Sequence, residues 1–71
     1  MHPSEKQALN HQINELIKEI DRSIDAVKLK AQEQGFDATQ MMYADGKFVM
    51  VPLLVAKAEA LSAKVRLNVK E

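Results

Sequence analysis

Seven apolar residues recur at helical spacing through the first half of the chain: Leu9, Ile13, Leu16, Ile20, Ile24, Val27 and Ala31. Their steps run 4, 3, 4, 4, 3, 4, so Leu9, Ile20 and Ala31 stand eleven residues apart. Eleven residues over three turns is about 3.67 per turn, close to the α-helix's own period, so the helix runs nearly straight. An apolar line of that kind needs cover along its whole length. Ser4-Glu5-Lys6-Gln7 fits a Ser-x-x-Gln capping box, which places the start at Ser4 and leaves His2-Pro3 outside. Gly35 supplies the left-handed stop, with Phe36 able to fold back on Ala31. The first helix therefore spans 4–34. Its other face carries Lys18, Asp21, Arg22 and Asp25, and Glu15/Lys18, Glu19/Arg22 and Asp25/Lys28 form opposite-charge pairs three apart.

Asp45-Gly46 lies between Met41-Met42-Tyr43 and Phe48-Val49-Met50, which reads as a β-hairpin over 39–51 with a type I′ turn. A two-residue loop would set Tyr43 against Phe48 and Met41 against Met50. The alternative is a short helix capped by Asp37 and running to Ala44. Pro52 suits the first turn of a second helix over 52–67. That helix has two apolar stripes. One holds Leu54, Ala58, Leu61 and Val65; the other holds Leu53, Ala56, Ala60, Ala63 and Leu67 and is rich in alanine. Two stripes imply two neighbours, the small residues allowing one of them close.

The expected fold is mainly α, in the order αββα: long helix, short hairpin, shorter helix. A second helix of about 24 Å cannot cover a first of about 45 Å. Folded back, it would shield Ile20–Ala31 and leave Leu9, Ile13, Leu16 and Ile17 in water. Each such side chain forfeits about 1.5–3 kcal/mol compared with burial. A second copy recovers that energy, most simply with twofold symmetry in a helical bundle. The expected self-interface is Leu9, Ile13, Leu16, Ile17 and Ile20 with Ala56, Ala60 and Ala63, so a charge at Leu16 would weaken association.

Size points the same way. The 71 residues allow one small domain, spanning 1–71, near the limit for an unaided core. With no cysteine, neither disulfides nor thiolate metal sites can help. The longest apolar run, Phe48 to Ala56, is nine residues with a proline inside, far short of the roughly 20 that span a bilayer. No membrane partner is expected. The opening residues lack a secretory pattern, so the cytoplasm is the expected compartment.

Net charge is zero but unevenly placed. Residues 1–46 carry five Lys/Arg and eight Asp/Glu, and residues 47–71 carry five and two. An acidic first helix beside a basic second segment accounts for the split. A basic surface for nucleic acid, built from Lys57, Lys64, Arg66 and Lys70, is the sharper alternative, but no recognition motif accompanies it.

Catalytic or metal chemistry has little to stand on. His11 and Glu15 are one turn apart, as two ligands of a metal can be, yet two ligands do not make a site. Asp21 and Asp25 lie among charges on the polar face, where nothing separates their pKa values for acid–base work. Gly35 and Gly46 are the only glycines, so no phosphate-cradling loop exists. No enzyme activity, metal or cofactor is expected. Met41, Met42, Tyr43, Phe48 and Met50 can form a deformable surface for another protein. The expected role is a non-enzymatic homo-oligomeric module that docks another protein; a nucleic-acid accessory protein and a small-molecule-binding oligomer are the alternatives. The helix–hairpin–helix order resembles that of small bacterial and phage proteins, a likeness of topology without a residue motif.

Overall fold

Pro3 sits where a helix loses nothing by a missing N–H, and the first helix starts there. The structure is a computed structural model describing residues 2–69. Helix α1 spans Pro3–Glu33, and His2 rather than Ser4 is its N-cap. The His2 Nδ1 accepts from the Ser4 N–H at 3.3 Å and lies 2.7 Å from Ser4 Oγ. The N-cap is thus two residues earlier than expected, because proline is preorganised for the first helical position. At the other end Gly35 has φ +80°. Phe36 N–H donates to Ala31 O and Gly35 N–H to Gln32 O, both at 3.1 Å, the paired bonds of a Schellman stop.

A single 3₁₀ turn, Ala38–Gln40, follows. Asp37 caps it, accepting from Thr39 N–H at 2.9 Å and Thr39 Oγ–H at 2.8 Å. The capped helix that the alternative reading drew to Ala44 stops after this one turn. Helix α2 then runs Met50–Asn68.

The expected β-hairpin is not formed. Among the described residues there is one isolated antiparallel bridge, Met42 to Phe48, and no strand. The turn is also one residue longer than expected. Tyr43 N–H donates to Lys47 O at 2.8 Å, Gly46 N–H to Tyr43 O at 2.9 Å, and Val49 N–H to Met41 O at 2.9 Å. Tyr43 therefore faces Lys47, not Phe48, and Met41 faces Val49, not Met50. A type I′ turn needs positive φ at both central residues. Only Gly46 has it, at +82°, while Asp45 keeps negative φ and accepts from Lys47 N–H at 3.0 Å. The second strand has nowhere to run, because Met50 opens α2 and enters the core, 3% exposed.

Ile20, Ile24, Met50 and Ala60 form the buried cluster, with Ile17, Val27, Ala38, Leu53 and Ala56 packed around it. α2 presents its alanine-rich stripe to α1, and the bulky stripe is left outside. The two helices are also joined at their edge. Lys57 Nζ lies 2.6 Å from Asp21 Oδ1. Asn10 and Asn68 exchange reciprocal amide hydrogen bonds at 3.1 and 2.8 Å.

That amide pair corrects the expected reach of the return leg. The connecting turn packs against the cluster through Ala38, and α2 runs antiparallel to α1, past Asp21 at Lys57 and back to Asn10 at Asn68. With 19 residues, or about 28 Å, it partly covers Ile13 and Ile17, which the sequence left in water. Leu9 and Leu16 remain exposed. The result is a rod of 49 × 18 × 17 Å. Its radius of gyration is 15.7 Å, against about 11 Å for a compact domain of this length.

Candidate functional site

The residues expected to form a self-interface divide into two sets. Ile20 and Ala60 are buried within the single chain, and Ile13, Ile17 and Ala56 are half-buried there. Leu9, Leu16 and Ala63 stay exposed. At 100° per residue, Leu9 and Leu16 fall on the flank of α1 away from Asp21 and Asn10, whose polar pairs close the opposite edge. The open flank is narrow.

The larger apolar surface lies elsewhere. Val51, Leu54, Val55, Leu61 and Val65 of α2 are all exposed, Leu61 at 44% and Val65 at 64%. Sequence reading saw the Leu54/Leu61/Val65 stripe but assigned the alanine stripe to the contact between copies, whereas Ala56 and Ala60 pack against α1 of their own chain.

Of the residues expected to dock another protein, Met42, Tyr43 and Phe48 are exposed around the tight turn. Met41 is half-buried and Met50 belongs to the core. Next to this turn lies an apolar groove of about 460 Å³ between the end of α1, the 3₁₀ turn and the start of α2. Buried Ile24 and Met50 line it, with exposed Phe36 and Leu54 and the charged Lys28 and Asp37 at its edges. Sequence reading missed the groove. The available signal was Gly35-Phe36, since a Schellman stop carries the following aromatic residue back over the helix end.

The basic residues among those described sit in different surroundings. Lys57 is engaged with Asp21, and Lys64 is half-buried with its carbonyl accepting from Asn68 Nδ2 at 2.7 Å. Arg66 is exposed in the last turn of α2, and Lys70 lies outside the described residues. The Lys57–Asp21 pair is the intrachain form of the acidic-beside-basic arrangement.

The carboxylates have local partners too. Glu15 is 3.2 Å from Lys18. The Lys18 hydrogen bond and charge, helped by His11 and Arg22, hold its carboxyl below the usual range. Asp37 is likewise lowered, first by the Thr39 backbone N–H and then by the Thr39 hydroxyl. Among the described residues no three His, Cys, Asp or Glu side chains come together as a metal site. No helix of the structure is long and apolar enough to cross a membrane.

The Asp37 cap gives a pH prediction. Its folded-state pKa is lowered, so its contribution to stability is complete above the unfolded value of about 3.9 and is lost as pH falls through the folded one. Carbon-detected NMR should therefore show the Asp37 carboxyl titrating below an unfolded-peptide reference, with the Thr39 amide following the same curve. A midpoint at or above the reference would show that the cap does not form.

In comparisons with known proteins, the chain matches no family model, no curated protein and no solved structure.

Proposed function

We propose that the chain is a non-enzymatic helical-hairpin module that works as a homo-oligomer and docks another protein. The observation that carries this reading is the surface a single copy leaves open. It amounts to 5597 Å², against roughly 4,500 Å² for a compact monomer of this mass. The excess, about 1,100 Å², is comparable to the roughly 800 Å² each subunit loses in a standard interface. A rod has extra surface for geometric reasons alone. Here, however, that surface carries leucine and valine, which gain by leaving water.

Docking of another protein is assigned to the turn at one end of the rod, where Met42, Tyr43 and Phe48 stand exposed. Thioether and aromatic side chains adapt to varied apolar partners. The test of the reading is the mass in solution, followed by sedimentation equilibrium over a wide range of concentration. A multiple of the 8.0 kDa chain mass is expected, little changed by added salt because the contact is apolar. A mass of one chain at every concentration would overturn it.

A further inference from the structure

We infer that the second copy packs in parallel along the outer flank of α2, on a seam of Val51, Leu54, Ala58, Leu61 and Val65. The inference rests on the self-association reading and names its contact. The five residues are spaced 3, 4, 3, 4, the heptad pattern of a helix pair, with Val, Ala and Val at one core position and Leu at the other. In a parallel arrangement, β-branched residues at the first position with leucine at the second favour a pair over a larger bundle.

Geometry leaves this seam free. The chain's own contact uses Leu53, Ala56 and Ala60, and the seam lies about 150° around α2 from that line at 100° per residue. Val51, Leu54, Leu61 and Val65 are accordingly 55%, 50%, 44% and 64% exposed. The competing flank on α1 offers only Leu9 and Leu16, bordered by exposed Gln12 and Ser23. A seam of five residues in phase uses the open apolar surface better than two leucines seven apart.

Charge bears on the direction mainly through Lys64, since Lys57 is already paired with Asp21 of its own chain. Lys57 and Lys64 both lie along one edge of the seam, and Val55 and Ser62 along the other. In a parallel pair each lysine edge meets the Val55/Ser62 edge of the second copy. An antiparallel pair instead sets the lysine edges against each other. Residues flanking a helix seam choose orientation in this way.

Full-length variants test the proposal. Leu61→Glu should raise the dimer dissociation constant by about a hundredfold or more, since in a parallel pair the two introduced carboxylates meet each other in the apolar seam. Circular dichroism should show its helix content unchanged, because Leu61 is outside the core. Leu16→Glu should leave the association within a few-fold of the parent. If Leu16→Glu dissociates the protein and Leu61→Glu does not, the seam is wrong while self-association stands. A parent that is a monomer throughout overturns both.

Direction is read separately by cross-linking, since the chain has no cysteine of its own. Val51→Cys should form a disulfide with its own copy on mild oxidation, and so should Val65→Cys, because like positions face each other in a parallel seam. Cross-links only between a Val51→Cys chain and a Val65→Cys chain would overturn the parallel arrangement.

Discussion

Replacing Ile24 by alanine should cost the folded protein about 2–4 kcal/mol and lower its melting temperature by roughly 8–30 °C. Ile24 is 6% exposed and sits between the two helices with Ile20, Met50 and Ala60. Truncation removes apolar contact on both sides and leaves a cavity that a two-helix hairpin can close only by shifting one rod against the other. A chain of this length has roughly 4–11 kcal/mol of stability in total, so the loss is a large fraction of it. Thermal melts at one fixed protein concentration provide the check, since association couples to apparent stability. Leu29→Ala, on the solvent side of α1, is the control and should change stability by less than about 0.5 kcal/mol. Equal losses at positions 24 and 29 would mean that the α1–α2 contact is not where the structure puts it.

Ala60→Leu should destabilise the hairpin by about 1–3 kcal/mol although it adds apolar volume. Leucine and alanine have similar helix propensity, so the cost comes from packing rather than from the helix itself. Ala60 is 5% exposed and packs in the buried cluster with Ile20 and Ile24 of α1. A larger side chain there must push α2 outward. The Lys57–Asp21 pair at 2.6 Å and the Asn10–Asn68 amide pair would then separate. Thermal melts measure the loss, and amide shifts of Asn10 and Asn68 report the separation. Ala26→Leu on the exposed face of α1 should be neutral. If Ala60→Leu raises the melting temperature, the helices are not in close contact at this stripe.

Local signals in the sequence located most of the elements. Gly35 stops α1 because its left-handed φ is needed within one residue of the helix end, and Asp37 caps the next turn through a neighbour two residues on. The Glu15–Lys18 pair follows from helical spacing alone. The hairpin failed for a reason that local pattern does not contain. Asp45-Gly46 does make a tight turn, but the demand of the core for Met50 turned the second arm into helix.

From its own residues the chain determined that there would be two rods and where the first would stop. Only the tertiary structure decided which line of α2 meets α1, since both lines repeat at 3 and 4. The alanine line wins because small side chains let two backbones come close, giving α1's isoleucines more contact than a bulky line would. That choice turns Val51, Leu54, Leu61 and Val65 to the outside. Placement of the connecting turn over the end of α1 set the second register, carrying α2 back as far as Asn10. Periodicity within a helix specifies a face; which face is covered depends on the shape of what packs against it.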